Sequence, residues 1–457
     1  MTFLRRRQMA FAAILLLVFS AAASGVVMKA GVAKVDITPP PGSVGLWGRF
    51  DRLQPNRGAY DPLYARILVL EAGAQRMALV ELDLGRTFGP NSLAQLRHAV
   101  RQSSGIGCVV AVATHTHAGP VIQDQYPSGT PPWERTALAR IEQGIHEAQS
   151  RAEPVRLGTG YGVAYIGHNR RQLNGDGSIT MLWNDPAQVL TEPMDPTVAV
   201  LRIDKADGAP LAILANYACH PVTFGSADLK FSADFPGVMC KVVNERMKAH
   251  PLCFYLQGAA GDVNVFDDGV AFQDGVLQRR DWAGNRLAKT VLRVATNIHT
   301  EVNPEPDLQF AVDNLPIHLR WNPEAFRAHM SMETGAKAVG LYLPPVQKIM
   351  EFPVTTVLIN RQIAMMGMPG ESFVQFQMSW RAQCPVRHCF FLGYTNGYDG
   401  YLPTLRAAAI GGYGAVNATT WAQVGAGELM LNHALVKVYQ MLGQLRDGPR
   451  KDWKSER

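Results

Sequence analysis

Charge is scarce and nearly balanced in this 457-residue chain: charged residues are 18% of the total and the net charge is only +6. Much of that excess sits at the ends, in Arg5-Arg6-Arg7 and in Arg450, Lys451, Lys454 and Arg457. Little basic surplus is left between them, so no nucleic-acid function is read from charge. Cysteine is equally sparing. Its six copies form no C-x-x-C pair and no finger-like spacing, which argues against a cysteine-based zinc site. There is no repeat of fixed period and no low-complexity linker, and Pro304-Glu305-Pro306 is the best candidate seam. Nor does any apolar run reach the roughly 20 residues of a spanning helix. The longest, from about Met9 to Ala23, follows the arginine triplet and leads into small residues from Ser20 to Gly25. That order describes a secretory signal peptide over residues 1–25, with an uncleaved anchor as the alternative. The chain is therefore expected to be exported, periplasmic or secreted. In that setting an even cysteine count permits disulfides. Cys384 and Cys389 are near enough to close a small loop, whereas Cys108, Cys219, Cys240 and Cys253 lie in apolar stretches and read as buried thiols.

What is present is a normal globular core, with 47% hydrophobic residues. Short apolar runs alternate with amphipathic stretches. Strands are predicted at Met77–Leu84, Val109–Ala113, Leu211–Tyr217, Leu252–Leu256, Val354–Ile359 and Cys389–Leu392. Helices are predicted at Ser92–Gln102, Trp133–Ser150, Phe235–His250, Asp281–Asn297 and Trp421–Gln444. The pattern predicts an α/β fold, a mixed sheet layered with helices, in a single large catalytic domain over 26–445 followed by a polar tail over 446–457.

Four segments at the ends of apolar runs could carry chemistry. In Thr114-His115-Thr116-His117, alternate spacing puts both imidazoles on one face if the backbone is extended. Cys219-His220-Pro221 ends another strand in a histidine. Glu371 follows Pro369-Gly370 where a strand turns toward a helix, a place that favours an ionised carboxylate. Tyr398 and Tyr401 share an irregular loop. Each has a plain structural alternative: satisfied polar groups at strand ends, first-turn helix stabilisation, packing phenols. Asp234 and Asp262 read equally as helix-cap or turn carboxylates and as groups that orient a histidine.

Together, and in this order, the segments resemble the catalytic domain of the neutral (non-lysosomal) ceramidases, zinc enzymes that cleave the amide of N-acylsphingosine. The resemblance runs from Ala30-Gly-Val-Ala-Lys-Val-Asp-Ile-Thr-Pro39 to about Met441, and is most distinctive at Thr114-His-Thr-His-Ala-Gly-Pro120. It implies a zinc ion held by His115, His220, Glu371 and Tyr401. His117 falls at a catalytic position beside the metal, Arg170 at one that contacts the polar part of the substrate, and Tyr413 at one beside the scissile carbonyl. The chain departs from the pattern at Asn264, where ceramidases carry a serine with a nucleophilic or orienting role. It also carries no match to the family's usual C-terminal β-sandwich. The expected activity is hydrolysis of the N-acyl amide of ceramide or a related lipid by zinc-activated water, with peripheral membrane contact. The alternatives are a zinc esterase or amidase on another hydrophobic acyl substrate, and a non-catalytic, metal-stabilised binding protein.

Overall fold

In the computed structural model the described residues are 26–47, 54–126, 128–185, 187, 189, 191–225, 228–266, 275–333, 347–416 and 419–445. The arginine-led segment and the tail from residue 446 lie outside them, so the signal and tail readings do too. The chain opens with β1 (Met28–Asp36), β2 (Tyr64–Ala72) and β3 (Gln75–Leu82) as an antiparallel meander. Helix α1 (Pro90–Ser104) crosses over to β4 (Cys108–Ala113), which lies parallel to β3. Every residue of β4 is buried, as a strand covered on both faces requires. After α2 (Pro132–Ser150) come β5 (Glu153–Val163) and three short strands, β6 (Gly167–Asn169), β7 (Arg171–Leu173) and β8 (Ile179–Met181). Next are β9 (Thr197–Lys205) and β10 (Pro210–Tyr217), then α3 (Asp234–Arg246) and β11 (Leu252–Gln257) parallel to β10. These strands form an eight-stranded mixed sheet in the order β11-β10-β9-β5-β1-β2-β3-β4.

A second sheet follows β12 (Val263–Val265) and α4 (Val276–Asn297), with the Pro304-Glu305-Pro306 stretch lying between α4 and the strand after it. Its elements are β13 (Leu308–His318), α5 (Pro323–Glu333), β14 (Ile349–Ile359), β15 (Ile363–Gly367), β16 (Glu371–Ser372), α6 (Val374–Gln383) and β17 (His388–Leu392). The described chain closes with β18 (Tyr401–Leu402), α7 (Leu405–Ile410) and α8 (Ala426–Met441). Strand order in this sheet is β13-β14-β15-β17.

The mixed, helix-layered α/β fold is as predicted, with the refinement that two sheets stack rather than one. Leu70, Val110, Leu214 and Phe254 of the large sheet share a core with Val357, Met365 and Phe390 of the small one. Helices α1 and α2 cover one half of the large sheet, α3 and α4 the other, and α6 with α8 covers the small sheet. Hydrogen bonds stitch the two sheets where β4 and β17 end: Ala113 N donates to Tyr394 O, Asn396 N to Ala111 O, and Asn216 Nδ2 to Phe391 O. None of the six cysteines is bridged. Cys384 and Cys389 are hydrogen-bonded thiols, and the other four are buried free thiols. No described helix is long and apolar enough to cross a membrane.

Candidate metal centre

The site forms where strands of both sheets run out together. Strand β4 stops at Ala113, and His115 turns out of it with φ 68°, a left-handed conformation that only surrounding bonds maintain in a non-glycine residue. Those bonds are His115 N to Leu84 O and the ring Nδ1 to Gly85 O at 2.6 Å. The extended geometry expected for His-x-His is thus replaced by a turn. The two rings converge nonetheless, with Nε2 of His117 3.2 Å from Nε2 of His115. His117 is half-buried, and its N–H donates to Pro221 O.

His220 follows the end of β10. Its N–H donates to Val263 O, and its ring Nδ1 lies 2.5 Å from Ala260 O. Glu371 lies in β16, paired with Tyr401 of β18, three residues before α6 begins. A Cβ on Gly261 would overlap the Glu371 carbonyl, so glycine is what lets the two loops close on each other. Glu371 Oε2 stands 2.9 Å from His220 Nε2 and 3.5 Å from His115 Nε2. Tyr398 donates to Oε1 at 2.6 Å, and Tyr401 also hydrogen-bonds the carboxylate.

These groups fit a cation. A carbonyl only accepts, so Nδ1 of His115 and of His220 must carry a proton, which leaves each Nε2 able to offer a lone pair inward when the ring is neutral. Burial foremost lowers His220 to a pKa of about 4, so its ring is neutral at pH 7. Burial works to raise Glu371, but His115 and His220 outweigh it and hold the carboxyl well below its ordinary value. In the neutral His220 ring the Nε2 lone pair faces the Glu371 carboxylate 2.9 Å away, an arrangement that a positive ion resolves. Zinc–ligand bonds of roughly 2.0–2.1 Å put tetrahedral ligands about 3.3 Å apart, and the contacts in this site scatter around that edge length. Nitrogens of His115, His117 and His220 also form a group within 4.8 Å of one another that could hold a metal.

The other wall of the site is cationic. Arg170 is buried. It donates to Gly261 O (2.7 Å), Tyr401 OH (3.1 Å) and Asn264 Oδ1 (3.2 Å), and its Nε has no partner. The guanidinium lies 5.1–5.6 Å from the ring centres of Trp183, Tyr413 and Tyr401. Tyr413 meets Tyr401 and Trp183 edge-on. Asn264 spends both ends of its amide, accepting from Arg170 and donating to Trp183 O. Burial first, then Glu371, push the Tyr401 hydroxyl well above its ordinary pKa.

His115, His117, His220, Glu371, Tyr401, Arg170, Tyr413 and Asn264, and with them Tyr398, thus meet in one place. Asp234 and Asp262 orient no histidine. Asp262 accepts from Val374 N at the start of α6 and from Asn169, and Asp234 accepts from Thr223 and Phe235 N, so both carboxylates tie loops to helix starts. Sequence reasoning missed Trp47, whose ring meets His115, His117 and Tyr398, and Tyr394, stacked 3.9 Å from His115. It also missed Gly85, whose carbonyl holds His115 and where a Cβ would overlap the Trp47 indole. The available signal was position: Gly85 directly follows the predicted Met77–Leu84 run, as His115 and His220 follow theirs.

The family description "Neutral/alkaline non-lysosomal ceramidase, N-terminal" matches residues 28–264. The chain belongs to this ceramidase family. Its fold agrees with solved ceramidases. Neutral ceramidase from Pseudomonas aeruginosa superposes with a TM-score of 0.72 at 20% identity, covering 93% of this chain and 76% of that one. A ceramidase complexed with C2 superposes with a TM-score of 0.71 at 18% identity, with the same coverage. In this ceramidase-family chain both ligand histidines expected from the sequence, and His117 between them, face the point where the two sheets meet.

Proposed function

We propose that this protein hydrolyses the N-acyl amide of ceramide or a related lipid at a single zinc ion held by His115, His220, Glu371 and Tyr401. The observation that carries the reading is the buried convergence of His115 Nε2, His220 Nε2 and the Glu371 carboxylate, with each ring's Nδ1 taken up by a backbone carbonyl. Zinc in such a set supplies Lewis acidity, polarising a carbonyl and lowering the pKa of water. The residues do the rest. Arg170, fixed by Gly261 O and Asn264, offers its cation to the carbonyl oxygen as negative charge develops there, and Tyr413 beside it adds a phenol donor. Water forms the new C–O bond, and the C–N bond breaks. His117 carries the proton released by water to the departing nitrogen, which leaves as the amine. Asn264 has no nucleophilic oxygen and both ends of its amide are engaged, which supports direct attack by water over an acyl-enzyme.

The distance between His117 and His115 favours a second ligand set, in which His117 replaces Tyr401. Metal analysis of His117→Ala separates the two: retention of one zinc supports the first set, loss of zinc the second. For the activity itself, purified protein is assayed against N-acylsphingosines, N-acyl amino acids and simple esters. Turnover confined to esters, or absent throughout, overturns the amide reading. The arginine-led apolar segment supports export, which N-terminal sequencing of the mature protein tests.

A further inference from the structure

A groove of about 920 Å³ runs between the end of α4, strand β5 and the start of β17. Strand β5 sits inside the large sheet, yet it pairs with β1 only at Glu153 and Pro154. Leu157 then exchanges two hydrogen bonds with Glu301, and beyond it no strand among the described residues covers this side. Backbone groups in a strand alternate in direction, so the N–H and C=O of Thr159 and Tyr161 point the same way as those of Leu157. They form no hydrogen bond on that side among the described residues, leaving an open edge within the groove. Gly158, Gly160 and Gly162 face α4, where a Cβ would strike His299 O, Ile298 or Val294. Tyr161 (43% exposed) and Val163 (48%), with Tyr165 (56%) continuing the alternation, leave an apolar stripe on the strand. Such an edge is a template for another strand.

Charge selects the occupant. Arg293 and Arg387 line the groove, and neither guanidinium has a hydrogen-bond or ion-pair partner among the described residues. The acid lining it, Glu301, stands 3.9 Å from His299 and is itself exposed. The chain's own two ends are basic. A second copy docking edge to edge would bring like arginines together. We infer that the open edge of β5 takes an extended acidic segment of a partner protein, which adds a strand beside Thr159 and Tyr161 and sets carboxylates on Arg293 and Arg387. This goes beyond the hydrolytic reading and does not depend on it.

The test uses the full chain and a fluorescein-labelled peptide of paired glutamates alternating with paired valines, which sets carboxylates on both faces of the added strand, followed by anisotropy. Saturable binding is expected, weakened at least about tenfold in the Arg293→Glu/Arg387→Glu double variant. A lysine-valine peptide should bind the wild type far more weakly, and so should a glutamate-valine peptide N-methylated at alternate positions, which lacks the main-chain donors. Absence of binding overturns the inference. So does equal binding of the N-methylated peptide, which would reduce the effect to charge alone, or displacement of the peptide by inorganic phosphate at millimolar concentration.

Discussion

The two walls of the site are built differently. On the metal wall, His115 and His220 are each pinned at Nδ1 by a backbone carbonyl, so their orientation follows from the path of the chain. On the cationic wall, Arg170 is held partly by side chains, Asn264 and Tyr401, and faces Trp183, which is 49% exposed. A wall fixed by backbone tolerates little change in its residues. A wall fixed by side chains can be re-plumbed, and this is where the chain departs from the ceramidase pattern, at Asn264.

The contrast predicts a descending series of effects. His115→Ala and His220→Ala should each lose both zinc and activity, as should wild type dialysed against a strong chelator, with restoration by added zinc in the wild type alone. Full zinc occupancy in either variant, by elemental analysis, would take that residue out of the ligand set. His117→Ala should keep its metal and lose about 10²–10⁴-fold in turnover, the usual contribution of a proton shuttle. Wild-type turnover there would remove it from the mechanism.

On the other wall, Arg170→Lys keeps the charge but not the planar fork that reaches Gly261 O, Tyr401 and Asn264 at once. A loss of about 10²-fold in kcat with zinc intact is expected, read by steady-state kinetics. The smallest effect belongs to Asn264→Ala, about tenfold, because it acts through Arg170. Quenched-turnover mass spectrometry should find no acyl adduct in the wild type, and a trapped adduct would refute direct attack by water. If Asn264→Ala were as damaging as His115→Ala, the division between a rigid and an adaptable wall would fail.

The strands that end in the site were plain in the sequence because each is a short apolar run halted by a polar or turn residue. Helix ends were less so. The stretch predicted as helical to His250 stops at Arg246, since Ala249 and His250 adopt positive φ and Pro251 follows. The last helix begins at Ala426 rather than Trp421, because Gly425 is left-handed and residues 421–422 bond to the strand region near Leu319. Strand β5 went unseen because alternate glycines read as loop, whereas here they admit α4. Two strands of the second sheet, at Val354–Ile359 and Cys389–Leu392, were legible as apolar runs, but that they form a sheet of their own was not, because β13, which pairs along its whole length with β14, is only partly buried. Glu371 could be found by pattern, but its company of Trp47, Gly85 and Tyr394 arises from contacts between distant segments that no local signal records.

That same assembly has a kinetic side. The proposed donors come from residues 115, 220, 371 and 401, on segments that follow strands of both sheets, so they are brought together where the two sheets stack. A cation captured there would act as a latch on the finished molecule, stabilising the docked sheets by mass action and leaving each sheet alone untouched. Metal loading would then report late folding events. Refolding monitored by intrinsic tryptophan fluorescence should run ahead of zinc uptake, and unfolding in the presence of excess zinc should be slowed more than refolding is hastened.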